Sequence, residues 1–223
     1  MKQTPKINYQ LVLDKTLETI VKENKKPRLL LHSCCAPCSS YVLEYLTQYF
    51  DITVFFYNPN ISPEPEYRHR VSEIKRLISE MCPEVHFIEG VYEPQKFFEM
   101  SKGLENAPER GERCHKCYAL RLEETAKTAQ NGSYDYFTTT LSISPQKDAA
   151  VLNAVGKEIS DRYGISYLYS DFKKRNGYKR SIELSAKFHL YRQNFCGCPF
   201  SKAESHHSEK PYIIDINSIP HKV

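Results

Sequence analysis

Glycine is scarce in this chain, eight in 223 residues, and none stands in a glycine-rich phosphate-binding pattern. That excludes a P-loop nucleotide cradle. Long apolar runs are missing too: no stretch of about eighteen apolar residues occurs, so a membrane span is not expected. The opening Met1-Lys-Gln-Thr-Pro-Lys6 is polar and lacks the apolar core of a signal peptide, which makes the cytoplasm the expected location, with no membrane partner. No internal repeat or low-complexity tract is evident. Charge is balanced as well, 31 basic against 27 acidic residues for a net +4, which by itself calls for no nucleic acid. The 40% hydrophobic content suffices for one domain with a substantial core. One domain is therefore expected over 1–223, with a peripheral N-terminal helix at about 8–25, a catalytic core at about 28–201 and a polar tail at about 202–223.

What the chain does have is grouped cysteine. Seven of its eight cysteines fall into Cys34-Cys35-Ala-Pro-Cys38, Cys114-His-Lys-Cys117 and Cys196-Gly-Cys198, about eighty residues apart. In a reducing compartment such groups read as metal ligands or redox thiols rather than structural disulfides. Cys82 stands alone and reads as a small buried hydrophobe.

Hydrophobic periodicity predicts alternating helices and strands. Apolar residues at Tyr9, Val12, Leu13, Leu17, Ile20 and Val21 mark a helix over Asn8 to Asn24, and Arg28 to His32 is an apolar run suited to a buried strand. A helix from Ser39, a strand over Ile52 to Tyr57, a helix near Glu66 to Met81, a strand over Val85 to Glu89 and a short helix near Pro94 to Lys102 follow. The second half continues with a helix from about His115 to Ala129, a strand at Tyr134 to Thr138, a helix near Gln146 to Tyr163, a strand at Ile165 to Tyr169 and a last helix at about Tyr178 to Tyr191. Tyr212 to Ile216 is the one apolar run in the tail. The alternation predicts an α/β fold with a mostly parallel sheet, helices on both faces, and chemistry at the carboxyl ends of the strands.

The cysteine groups admit several readings. Cys35-Ala-Pro-Cys38, between a strand and a helix, looks like a thioredoxin-type dithiol, but that reading leaves the other groups idle. Cys114 and Cys117 on a first helical turn can aim at one centre, a signature shared by zinc and iron-sulfur sites. If Cys34 and Cys35 join them, four thiolates meet; adjacent cysteines on an extended chain diverge, which favours the separated irons of a cluster over one zinc ion. A Cys196–Cys198 disulfide would close a small, strained and easily reduced ring suited to a reversible electron carrier. Alternatively Cys114, Cys117, Cys196 and Cys198 form a zinc site, making the protein a zinc-binding RNA-interaction module. The stretch Lys173, Lys174, Arg175, Tyr178, Lys179 and Arg180 suits phosphates and exposed bases as well as it suits a solvated loop.

Five ordered motifs resemble those of a known family, the cobalamin-independent epoxyqueuosine reductases of the QueH type. They are Leu31 to Ser39, Phe56 to Ile61 with Pro65-Glu66-Tyr67 and Arg70, Arg113 to Tyr118 with Arg121-Leu122, Thr138 to Asp148, and Asp171 to Lys173 through Tyr191 to Cys198. Together they span about Leu29 to Ser201.

The resemblance implies a reductase that converts epoxyqueuosine to queuosine at the wobble position of tRNA, the final step of queuosine biosynthesis. It implies a Rossmann-like fold of the adenine nucleotide α-hydrolase group. By position, Cys34, Cys35, Cys114 and Cys117 would hold a [4Fe-4S] cluster, and Cys196 and Cys198 would form a redox-active disulfide; this leaves Cys38 unassigned, and it is expected near a second, mononuclear iron. An external electron donor is implied, and cobalamin is not. Asp148 reads as an acid or further ligand and equally as a surface carboxylate at a helix N-terminus. Tyr57, Asn58 and Asn60 suit reading the base and equally suit an Asn-Pro turn, while Lys173, Lys174, Arg175, Lys179 and Arg180 are expected to contact anticodon-loop phosphates and Tyr178 to stack on a base.

Overall fold

A computed structural model describes residues 7–202. The expected Tyr212 to Ile216 segment, and the tail beyond 202, lie outside these residues. The first helix, α1 (Tyr9–Lys22), starts at Asn8, whose side chain accepts the amides of Gln10 and Leu11. Then follow β1 (Arg28–His32), α2 (Ala36–Leu46), β2 (Asp51–Phe56), α3 (Glu64–Met81), β3 (His86–Glu89), α4 (Pro94–Ser101), α5 (Glu112–Asn131), β4 (Tyr136–Thr139), a 3-10 turn at Thr140–Ile143, α6 (Ala149–Tyr163), β5 (Ser166–Tyr167) and α7 (Gly177–Lys187).

The five strands form one sheet in the order β3-β2-β1-β4-β5, and every pairing is parallel. The central strands are apolar on both faces, as parallel strands covered by helices must be. Alternation along them feeds two cores. Leu29 and Leu31 with Ile52, Val54 and Phe56 pack against α1, α2 and α3. Leu30, Phe55 and Phe137 pack against Leu122 and Ala126 of α5 and Ile159 of α6 on the other face. The α/β expectation with helices on both faces is met, and the sheet is wholly parallel.

The chain runs outward from β1 to β3 and then returns to place β4 on the other side of β1. The loops after β1 and β4 therefore diverge at a switch point, where open parallel sheets build their sites. Both the Cys34 loop and the Thr139-Thr140 corner lie there.

Candidate metal and thiol centre

The first cysteine group sits where β1 gives way to α2. Cys35 is the N-cap of α2, Pro37 lies in its first turn, where a missing N–H costs nothing, and Cys38 follows within the same turn. Folding back at this junction brings the Cys34, Cys35 and Cys38 sulfurs within 4.8 Å of one another, with Cys34 Sγ and Cys35 Sγ 3.7 Å apart. The expected divergence of these two neighbours is not found, because the chain turns from extended strand into helix at Cys35 instead of continuing straight. Two thiolates on one tetrahedral ion, with metal–sulfur bonds of about 2.3 Å, stand roughly 3.8 Å apart. The trio thus has the spacing of a corner around a single metal ion. Cys34 also lies 3.7 Å from Thr140 Oγ1, across the switch point.

Hydrogen bonding within the trio separates its acidities. The Cys34 and Cys38 thiols hold Cys35 well below the usual thiol range. In return the bond to Cys35 pushes Cys34 up to about 12, and the bond to Cys34 raises Cys38. Cys35 is the first of the three to ionise. Beneath them, His32 is fully buried between Thr139 Oγ1 at 2.8 Å and the Tyr57 carbonyl at 3.1 Å. Burial lowers its pKa to about 3, so it is a neutral tie between strands rather than a cation.

The other two groups meet at a narrow neighbouring cleft, partly open to solvent, whose wall includes Cys114, Cys117, Cys196, Cys198, Arg121 and Lys147. Cys114 and Cys117 occupy the first two turns of α5, three residues apart and hence on one face. Cys114 Sγ accepts the Arg110 amide at 3.3 Å. Cys114 and Cys34 both pack against the cluster of Tyr118, Leu141 and Leu152, so the first two groups approach each other there. Burial pushes Cys117 up to about 11.

The third group is a loop fastened from outside. The Ser62 amide donates to the Gly197 carbonyl at 3.0 Å, and Arg70, almost wholly buried, donates to the Cys196 carbonyl at 3.1 Å while pairing with Glu66 at 2.7 Å. Both Cys196 and Cys198 are free thiols. Burial pushes Cys198 up to about 12. Burial also works to raise Cys196, but Lys147, then Arg121, outweigh it and leave that thiol below its usual range.

Three buried cations line the cleft; Arg113 donates to the Leu104, Glu105 and Ala107 carbonyls, while Arg121 and Lys147 act on the thiols. Arg121, one helical turn beyond Cys117, is 1% exposed. Its nitrogens donate to the Cys117 carbonyl at 3.3 Å and to Asn58 Oδ1 at 3.4 Å, and Nη2 has no partner among the described residues. Burial works against its charge, yet the thiols of Cys117, Cys196 and Cys34 offset that and raise its pKa. Lys147 is 6% exposed, 3.5 Å from Cys196 Sγ and 3.4 Å from Glu109. A guanidinium buried without a carboxylate partner is costly unless negative charge lies beside it, and the groups that chiefly offset the cost here are the thiols of Cys117, Cys196 and Cys34.

The remaining predicted residues divide. Asn58 Nδ2 donates to the Ser33 carbonyl at 2.8 Å, Tyr57 is buried against Phe55, and Asn60 reaches the cavity wall. Asp148 caps α6, accepting the Ala150 amide at 2.7 Å from an exposed position; the neighbour that turns inward is Lys147. In the basic stretch Lys173 pairs with Asp171, Arg175 with Asp14 of α1, and Arg180 with Glu44 and Glu183, while Lys174 and Lys179 are exposed. Much of that charge is neutralised within the molecule. Sequence reasoning gave no role to Arg70, Arg121 or Lys147. All three fall within the motifs that carry the family resemblance, and Arg121 also stands four residues past a ligand-type cysteine, hence on the same helical face.

Comparison with known proteins agrees with this architecture. The family model described as epoxyqueuosine reductase QueH matches residues 29–204. Epoxyqueuosine reductase QueH of Staphylococcus epidermidis is 45% identical over 202 residues, covering 88% of this chain and 85% of that protein. The protein of the same name from Streptococcus pyogenes is 43% identical over 205 residues, covering 90% and 80%. That of Thermotoga maritima is 34% identical over 180 residues, covering 79% and 91%. The match takes in all three cysteine groups together with Arg121 and Lys147, and this chain belongs to the QueH family of epoxyqueuosine reductases.

Proposed function

We propose that the protein reduces epoxyqueuosine to queuosine in tRNA. Epoxide removal converts two carbon–oxygen bonds into an alkene and one water, consuming two electrons and two protons. The observation that carries the reading is the meeting of three thiol groups with the buried cations Arg121 and Lys147 at the switch point of the sheet. Such a centre is built to keep negative charge out of water and to change its electron count.

The residues fit a thiolate-bound metal cofactor, because Arg121 is buried among sulfurs and without a carboxylate. Cys34, Cys35, Cys114 and Cys117 would hold a [4Fe-4S] cluster, and the short spacing of Cys34, Cys35 and Cys38 supports a further iron at that corner. When bound, such a group supplies single electrons and a site that polarises a carbon–oxygen bond. Cys196 and Cys198 are the two-electron dithiol: one thiol is held acidic by Lys147 and the other is buried, an asymmetry suited to forming and resolving a strained disulfide. Arg121 and Lys147 stabilise charge as it accumulates in the cavity. Lys174 and Lys179 meet tRNA phosphates, and an external reductant reloads the dithiol.

The test is anaerobic reconstitution with iron and sulfide, incubation with tRNA bearing epoxyqueuosine and a strong reductant, and mass spectrometry of the released nucleosides. Queuosine is the expected product. A protein that binds iron and sulfide yet leaves the epoxide intact with every donor tried is not this reductase.

A further inference from the structure

We infer that Asn60 reads the epoxide-bearing ring of the substrate, its side-chain amide donating one hydrogen bond to the ring's oxygen functions and accepting one from a ring hydroxyl. The inference rests on the reductase reading above and deepens it, since the three polar residues that close β2 are not equivalent. The Tyr57 ring is packed against Phe55 and its Oη, though also without a hydrogen-bond partner among the described residues, is not on the cleft wall; Asn58 is occupied on both sides of its amide, by the Ser33 carbonyl and by Arg121. Asn60 is 1% exposed, and neither Nδ2 nor Oδ1 has a partner among the described residues. It lies on the wall of the cavity that holds Cys117, Cys196 and Cys198.

The backbone at Asn60 is fixed. The Ile61 amide donates to the Asn58 carbonyl at 3.1 Å, Tyr92 Oη donates to the Ile61 carbonyl at 3.0 Å, and the Ser62 amide reaches Gly197. An unsatisfied buried amide on so constrained a loop works against folding, which is tolerable where a ligand completes it. The chemistry of that ligand follows from the amide itself. A sulfide or a simple anion only accepts hydrogen bonds and would satisfy Nδ2 and Arg121 Nη2 while leaving Oδ1 bare, whereas a metal ion would take Oδ1 and leave Nδ2 bare. Asn60 requires a group that both donates and accepts. A small ring carrying an epoxide oxygen beside hydroxyl groups does both, and the Arg121 fork supplies a further donor on the same wall.

The experiment compares wild type with Asn60→Leu, nearly isosteric and apolar, and with Asn60→Ala. Each is reconstituted with iron and sulfide and assayed for kcat/KM on tRNA bearing epoxyqueuosine, and thermal unfolding of the metal-free proteins is measured alongside. Loss of two hydrogen bonds to the ring should lower kcat/KM roughly 10- to 100-fold, with the cluster absorbance unchanged. Equilibrium binding of the same tRNA with an unmodified wobble guanine should also be unchanged. Metal-free Asn60→Leu should unfold at or above the wild-type temperature, because two bare polar atoms have been removed. A clear fall in that temperature, or a changed cluster spectrum, would show that Asn60 serves the protein or its cofactor instead. Retained kcat/KM in both variants would mean that water satisfies the amide, and would sink this inference while leaving the reductase reading intact. Failure of wild type to turn over would take both down.

Discussion

At Gly197 two independent demands meet on one residue. Its φ of +113° is a backbone conformation that side chains with a Cβ rarely adopt. A Cβ added there would also stand 2.9 Å from Ile61 Cγ1 and 3.1 Å from Arg70 Nη1, the atom that holds the Cys196 carbonyl. Gly197→Ala should therefore cost about 1–3 kcal/mol, seen as a fall in Tm of about 2–4 °C per kcal/mol for a chain of this size. It should also push Arg70 off the loop and speed alkylation of Cys196 by iodoacetamide; an unchanged melt and unchanged labelling would mean that the loop is not held as described. At this scale the sequence displays the cysteines openly, because thiols in tight groups have few other uses. It does not display which of Asn58 and Asn60 is free, since that depends on Ser33 and Arg121, residues 25 and 63 positions away from Asn58. Lys147 is hidden for the same reason: a lysine reads as surface until a fold buries it against a distant sulfur.

Whole elements were legible wherever local pattern sets them. The strand at Arg28–His32 has the predicted limits, and the β2, α1 and α3 limits fall within two residues of the expectation. The helix expected from Ser39 begins earlier, at Ala36, since Pro37 fits a first turn as well as it fits a loop. A further departure is the helix expected from Gln146. It starts at Ala149 because Asp148 caps it, and a 3-10 turn precedes it at Thr140–Ile143. The last helix ends at Lys187, and the segment to Tyr191 is pulled away by Arg76, which donates to the Phe188 carbonyl, and by Glu73, which accepts the Tyr191 amide. Capping assigns Asp148 a job of its own. Asp148→Ala should cost about 1 kcal/mol of stability while kcat/KM of the reconstituted protein stays near wild type. Asp148→Asn, which keeps a capping oxygen, should recover most of the stability. A drop in kcat of more than tenfold in the Asn variant, with its melt restored, would put the carboxylate back into the chemistry.

Over the whole molecule the three cysteine groups acquire a mechanical meaning. Strand order was not readable from pattern alone; the return from β3 to β4 beside β1 is a property of the complete sheet, and it sets the Cys34 loop against the start of α5. The Cys196–Cys198 loop arrives from the far end of the described chain and is held chiefly by Arg70 and Ser62. A centre bound by thiolates from these segments ties together loops separated by about eighty residues, and closing long loops through a metal removes much unfolded-chain freedom. It also provides the negative charge that buried Arg121 lacks in the metal-free protein and adds to what Glu109 gives Lys147, so cofactor loading and folding should be strongly coupled. Anaerobic loading with iron and sulfide should raise Tm by at least several degrees, and chelation should reverse the gain. Cys117→Ala should lose most of that increment. Cys82→Ala should melt lower with and without metal but keep the increment, because Cys82 is buried in the core formed by α1, α2 and α3. Equal increments in wild type and Cys117→Ala would show that the metal sits elsewhere.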